Sequence, residues 1–432
     1  MSKLEKYLDY KDSGVDGFGQ IPEEWEVRRL ASLGRFSKGG GISRDKLAED
    51  GLPAILYGDI YTKYDISTTK TKNFISKETA LNAIKIIQND ILLTGSGETK
   101  EDIGKCIVFK GREAYAGGDI IIFKQNNFDS SFLSYSLNSS YSIMQKMIMA
   151  KGEIIVHIYG SALKELKITL PPKQEQIKIA SFLDSKTEQL DKAIKQKEQL
   201  IELLKERRQI LINDAVTKGL DESVVMKDSG VEWIGKVPQH WEVEKVKNIF
   251  NLIINPAPNN NNEELLSIYT DIGVKPRKEL VAKGNKASTT DGYWRVRKGD
   301  FIVNKLLAWM GAIGLSNYDG VTSPAYDILR AKIDTVGLYY HELFRLKVFS
   351  EEMKKHSRGI MDMRLRLYFD KFGDIRVPYP EQKEQQLIVN YIEENNHKIN
   401  KAIDLQLQQI IKLKEYKTTL IDSVVTGKVR VV

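Results

Sequence analysis

The sequence predicts a chain of α/β plus α class: two mixed α/β domains separated by an antiparallel two-helix coiled coil, with an internal pseudo-twofold repeat. Three observations carry this. Residues 12–27 (DSGVDGFGQIPEEWEV) and 228–243 (DSGVEWIGKVPQHWEV) share Asp-Ser-Gly-Val, Gly-x-x-Pro and Trp-Glu-Val, with Trp25 and Trp241 lying 216 residues apart. A second pair of segments, starting near Pro171 and Pro378, aligns without a gap from Glu175/Glu384 to Thr217/Thr426, a spacing of 209. Both of these later segments also carry an apolar pattern of heptad period. A repeat near 210 residues is far longer than a solenoid unit, so the chain is a duplicated two-part unit.

The helical halves have the strongest periodicity. Steps of four and three pick out Leu183, Leu190, Ile194, Ile201, Leu204 and Leu211 in the first copy. The second copy gives Ile392, Ile399, Ile403, Ile410, Leu413 and Leu420. A mainly apolar seam of 3.5-residue period lets a helix wind around a partner. Polar interruptions fall at matching places, Thr187 with Asn396, Lys197 with Gln406 and Arg208 with Lys417. Polar seam positions fix register, which predicts that the two helices meet each other in one alignment. From Leu183 to Ala215 such a helix runs about 50 Å at ~1.5 Å per residue. The second globular segment begins only a short linker beyond it, so short connections require the antiparallel pairing. The expected divisions are a first domain at 1–170, a central helix at 171–220, a second domain at 221–377 and a C-terminal helix at 378–432.

The globular segments share a weaker skeleton. Residues 90–94 (DILLT), 103–109 (IGKCIVF) and 119–123 (DIIIF) read as strands, answered by 300–304 (DFIVN), 312–315 (AIGL) and 327–330 (DILR). Apolar β-branched runs bounded by Gly and Asn/Asp turns carry that reading. Tyr57-Gly58-Asp59-Ile60 similarly answers Tyr269-Thr270-Asp271-Ile272, and helices are expected at 131–149 and 336–355. The loops differ most, and loops are where binding residues concentrate.

Those loops mix basic, aromatic and small polar residues, the set that holds phosphates, touches base edges and stacks. In the first copy the candidates for DNA contact are Lys38, Arg44, Lys46, Tyr61, Lys63, Ser96, Lys100 and Lys105. In the second they are Lys275, Arg277, Arg295, Arg297, Asn304, Lys305, Trp309 and Tyr326. Each alone has a plain alternative as a solvated charge or a core aromatic; clustering in equivalent loops favours the regions. The stretch 345–366 is also basic, with Arg345, Lys347, Lys354, Lys355, Arg358, Arg364 and Arg366, partly balanced by Glu351, Glu352 and Asp362. It fits a phosphate-contacting face and an ordinary solvated helix equally well.

Composition excludes other classes. Of 432 residues, 41% are hydrophobic and 28% charged, enough for real cores and unlike a disordered tail. The net charge of +7 permits a polyanionic partner without demanding one. A single cysteine, Cys106, leaves no intramolecular disulfide and no cysteine-built zinc site. No apolar run approaches the ~18 residues of a membrane helix and residues 1–10 have no signal-peptide core, so a soluble, cytoplasmic protein without membrane contact is expected.

Catalytic signatures are absent. There is no phosphate-loop motif, since Gly104-Lys105-Cys106 has the wrong upstream spacing, and no Asn/Asp-Pro-Pro-aromatic motif of an adenine methyltransferase. His157, His240, His341, His356 and His397 have no metal-ligand spacing. The glycine groups at 39–41 and 95–97 read as turns. The chain is expected to be no enzyme, with no catalytic residue, no metal and no cofactor of its own.

The doubled Gly-x-x-Pro-x-x-Trp-Glu-Val, the doubled Pro-x-x-x-Glu-Gln helix start and the loop NKLLAWMGAIGLSNYDGVTSPAYDIL together resemble the DNA-specificity subunit of type I restriction–modification systems. The resemblance covers nearly the whole chain. It implies two target-recognition domains that each read one half of a bipartite asymmetric site in double-stranded DNA, with the paired helices setting the unread spacer. It also implies two methyltransferase subunits that use S-adenosylmethionine to methylate adenine, and two ATP- and Mg-dependent restriction/translocase subunits. One departure is that the second helix start reads as carrying two extra residues at 378–380, which predicts a small difference between the halves. Two other readings stand beside this one: a coiled-coil adaptor with protein-binding terminal domains, and an unrecognised fused methyltransferase or nuclease.

Overall fold

The computed structural model describes residues 5–431 apart from 16, 126, 280–289 and 360–364; Asp362 and Arg364 thus lie outside the described residues. The chain forms two compact units, Met1–Lys197 with Leu407–Val432, and Glu198–Gln406.

The first unit is layered. Its central sheet runs Arg35–Lys38, Ile120–Lys124, Ile91–Thr94, Cys106–Phe109 and Ser67–Thr68, antiparallel except at the last pairing. Alternate side chains go to opposite faces of a strand. Ile91, Leu93, Cys106, Val108, Ile121 and Phe123 therefore pack on the helix Ser130–Leu137 through Phe132 and Leu133. Leu92, Ile107, Phe109, Ile120 and Ile122 face the other way, against Ile55, Ile86, Ala114 and Ala116 of a second five-stranded sheet. Burial on both faces explains why DILLT, CIVF and IIIF are continuous apolar runs instead of alternating ones.

The second unit repeats the plan with less β-structure. Its sheet runs Phe250–Ile253, Tyr326–Ala331, Phe301–Asn304 and Ile313–Leu315, the same order as the first four strands of the other copy. One face packs Phe301, Val303, Ile313 and Leu329 on an aromatic layer from the helices Gly337–Phe344 and Lys347–His356, including Tyr339, Tyr340, Phe344 and Phe349. The other face places Ile302 and Ile328 against Leu266, Ile268, Val274 and Val296.

Two expectations change in detail. The helices expected at 131–149 and 336–355 are each two helices, Ser130–Leu137 with Ser140–Met149, and Gly337–Phe344 with Lys347–His356. Asn138 and Arg345 end the first helix of each pair. The Tyr57 and Tyr269 segments are not alike. Tyr57–Thr62 is a helix whose N-cap residue is held by Asp59, which accepts from Leu56 N at 2.8 Å. Tyr269 instead ends a strand, because Gly273 at φ +76 closes a tight hairpin back onto Leu266–Tyr269.

The long helices are Lys173–Lys218, 46 residues, and Gln382–Val425, 44 residues. In the first unit Lys417 Nζ bonds Asp191 at 2.9 Å and Lys197 bonds Gln409, so numbers rise on one helix as they fall on the other. In the second unit Arg208 bonds Asn400 in the same sense. The pairing within each unit is antiparallel. Leu183, Ile194, Ile201, Ile392, Ile399, Ile410 and Leu420 are buried, and Leu190, Leu204, Leu211, Ile403 and Leu413 are half-buried. Two polar seam residues of the first unit have partners within that unit. Lys417 takes Asp65 and Asp191, while Thr187 turns back to Leu183 O and lies 3.1 Å from Tyr135 Oη.

Candidate nucleic-acid interface

The doubled sequence motifs meet each other inside each unit. Trp25, fully buried, donates its indole N–H to Glu175 Oε2 at 3.1 Å, and Trp241 donates to Glu384 Oε2 at 2.9 Å. The following glutamine secures the helix start. Gln176 Nε2 donates to Pro171 O at 2.8 Å while its Oε1 accepts from Asp129 N at 3.0 Å. Gln385 does the same with Pro380 O at 2.9 Å and Val336 N at 2.8 Å. Each Trp-Glu-Val and Glu-Gln pair thus ties the long helix to the domain and to the N-terminus of the domain's first packing helix. The residues read as extra at 378–380 shift nothing. Strand Arg376–Tyr379 pairs with Glu242–Lys245 as Lys167–Leu170 pairs with Glu26–Arg29, at the same 209 and 216 spacings as the motifs.

On this frame the candidate contact residues separate into two groups. Arg44, Lys46, Lys100 and Arg297 are exposed, and Lys38 is exposed with Asp119 at 3.6 Å. The others hold their own loops. Tyr61 Oη lies 2.6 Å from Thr94 Oγ1 and donates to Ser96 O at 3.0 Å, and burial pushes its phenol up to about 12. Lys105 donates to Tyr61 O at 3.3 Å and Tyr64 O at 2.9 Å, its ammonium pulled down by burial. Lys63 pairs with Asp59 at 2.8 Å, Arg295 with Glu263 at 2.5 Å, and Lys305 with Asp327 at 3.3 Å. Lys275 sits 5.8 Å from the centre of the Tyr318 ring. Trp309 donates to Leu306 O at 3.1 Å and carries the Lys354 ammonium over its ring at 4.9 Å. Asn304 is buried and accepts from Leu306 N at 3.1 Å. Arg277 and Tyr326 are half-buried.

Lys38 and Ser96 come together in an open pocket of about 280 Å³ in the first unit, lined also by Ser37, Asp119, His157, Tyr159 and Lys164. Ser96 Oγ lies 2.9 Å from His157 Nδ1, which leaves Nε2 as the other ring nitrogen, and Tyr159 is exposed beside it. Two ammonium groups, several hydroxyls and an aromatic face suit a phosphate and the adjoining sugar or base. Sequence reasoning missed His157, Tyr159 and Lys164; the HIYG string at 157–160 was the available signal. Behind the loop at 94–105, fully buried Lys146 donates to Gly104 O at 2.7 Å, burial pulling its ammonium down to about 8. Among the described residues no His, Cys, Asp and Glu cluster could hold a metal ion, and no helix is long and apolar enough to cross a membrane.

Two α/β units of one strand order, each packed on an antiparallel pair of helical segments and each presenting unlike polar loops, make a duplicated scaffold. The family model described as the type I restriction modification DNA specificity domain matches residues 22–203. The MjaVIII type I restriction enzyme specificity subunit of Methanocaldococcus jannaschii is 24% identical, over 95% of this chain and 94% of that protein. The EcoKI specificity subunit of Escherichia coli is 25% identical over 53% of this chain and 48% of its own. Among solved structures, a chain from work on assembly and conformational transition of the type I R-M system superposes with a TM-score of 0.71 at 13% identity, covering 94% of this chain and 98% of its own. The HsdS subunit of Thermoanaerobacter tengcongensis gives 0.56 at 14% identity over 95% and 98%. Over residues 22–203 the chain thus matches the type I restriction modification DNA specificity domain, and over nearly its whole length it is similar to type I specificity subunits.

Proposed function

We propose that this chain is the non-catalytic DNA-reading subunit of a type I restriction–modification complex, each α/β unit reading one half of a bipartite asymmetric site. The observation that supports this most is the doubled Trp–Glu and glutamine tie carrying one sheet order with unlike loops: the same frame built twice, with different chemistry at its tips. Two methyltransferase subunits dock on the outward positions of the helix pair and bring S-adenosylmethionine; restriction/translocase subunits bring ATP and Mg. The helices set the unread spacer, and the complex works in the cytoplasm. DNA contact in the first unit centres on Lys38, Lys164, His157 and Tyr159, with Arg44, Lys46 and Lys100 on phosphates. In the second it falls on Arg297 and on the loop ends bearing Lys275, Arg277, Lys305 and Tyr326.

Two changes test the reading by mapping methylated adenines genome-wide. Replacing 28–170 with the matching segment of a relative changes one half-site and leaves the other; a change in both overturns the assignment. Removing one heptad from each long helix shortens the spacer with both half-sites kept, and an unchanged spacer refutes the ruler.

A further inference from the structure

The joint between the two packing helices of the second unit does more than turn the chain. Arg345 sits there, in a stretch whose basic residues the sequence offered as a phosphate-contacting face. Its guanidinium points inward instead. Nη1 donates to Gly311 O at 3.0 Å and Ile313 O at 3.2 Å; Nη2 donates to Thr270 O at 2.8 Å and Asp271 O at 3.0 Å. One planar fork thus joins two loops that are neighbours in space but some forty residues apart in sequence. A fixed fork of donors suits that task, whereas an ammonium is a point charge on a flexible stem.

Those loops carry what a reading edge needs. Ile272 in the first, and Leu306, Leu307 and Met310 in the second, are between 39% and 53% exposed, an unusual density of bare apolar side chains at loop tips. Gly311 at φ +92 closes the second loop, and a Cβ there would meet Thr270 O at 3.5 Å. His341, one turn earlier on the same helix, accepts from Leu315 N at 3.2 Å, fixing the strand that leaves the loop. At the equivalent joint of the first unit the side chain of Asn138 meets one residue only: it donates to Cys106 O at 2.8 Å and accepts from Cys106 N at 3.0 Å.

We infer that Arg345 is a positioning residue for the second half-site: by gripping four carbonyls it holds Ile272, Leu306, Leu307 and Met310 as one apolar edge against bases of the DNA groove, thymine methyls being the matching chemistry. This rests on the DNA-reading function proposed above. A side chain that touches no DNA then governs specificity through loop geometry, and it does so for one half-site alone.

The test expresses the full chain with its methyltransferase subunits and maps methylated adenines for wild type, Arg345→Met and Arg345→Lys. Arg345→Met is expected to raise methylation at sites mismatched in the second half by about tenfold or more, the size of losing one good base contact, with the first half unchanged. Arg345→Lys, which keeps the charge but cannot span both loops, falls between wild type and Arg345→Met and covers the case in which the methionine variant fails to fold. Lower methylation at an unaltered motif, in whichever variant folds, overturns the inference, as does equal relaxation of both halves. A wild-type chain that marks no bipartite motif overturns the function beneath it, which is a separate outcome.

Discussion

Changing Glu384 to alanine tests the tie that both copies of the motif build. Its Oε2 accepts from the indole N–H of Trp241 at 2.9 Å and lies 2.9 Å from His240 Nε2. Trp241 is 1% exposed, so its indole N–H relies on this acceptor. A hydrogen bond to a charged group contributes about 1.5–3 kcal/mol, and a stranded buried donor costs about as much as the bond gave. The His240 contact is largely exposed and adds little. The expected loss is therefore about 2 kcal/mol, or roughly 4–8 °C in the melting of a unit near 200 residues. Glu384→Gln keeps an acceptor oxygen and is expected to lose about 1 kcal/mol or less. Urea unfolding followed by tryptophan emission suits the measurement, because four of the five tryptophans (233, 241, 294 and 309) lie in Glu198–Gln406. Wild-type stability in Glu384→Ala, or a glutamine variant as damaged as the alanine one, would refute the reasoning.

Other outcomes follow from single groups. Burial, with the neighbouring Arg345 charge, holds His341 down at about 4, so the folded unit keeps the neutral ring that accepts from Leu315 N. Above its ordinary value of about 6.5 the group has no effect on stability; as pH falls toward 4 the unfolded chain takes a proton that the folded chain refuses. The second unit should lose about 2 kcal/mol from this group between pH 7 and pH 5, and His341→Gln should flatten that part of the profile in denaturant titrations at both pH values. Lys164→Ala should weaken DNA binding and lower the slope of log affinity against log salt by about one. An unchanged slope would remove Lys164 from the phosphate contacts.

The duplicated frame was legible because it is written in local repeats: Trp25 and Trp241, Glu175 and Glu384, and the heptad seams need no tertiary knowledge to align. The three central strands of each copy were legible for a related reason, since burial on both faces demands unbroken apolar runs such as IIIF. The breaks at Asn138 and Arg345 were not, because both residues are tolerated inside a helix and their roles depend on carbonyls distant in sequence. Tyr61 and Lys105 have the composition of a binding loop, yet tertiary acceptors claim them, and no one-dimensional pattern distinguishes a lysine that meets two carbonyls from one that meets solvent. His157 and Lys164 were overlooked for the converse reason. They join Lys38 and Ser96 only when Val156–His157 pairs with Ser96–Gly97.

The central sheet of the first unit has water excluded from both sides, with Leu92, Ile107 and Ile122 at 0% exposure on one face and Ile91, Val108 and Phe123 at 0% on the other. Backbone amides there should be among the slowest to exchange with deuterium, while the edges bearing Arg44 and Lys100 exchange freely. The molecule thereby sets a pliant rim on an unyielding anvil. Whatever ligand presses on that rim meets recoil from a slab that barely flexes, and the work of fitting falls on a few side chains alone.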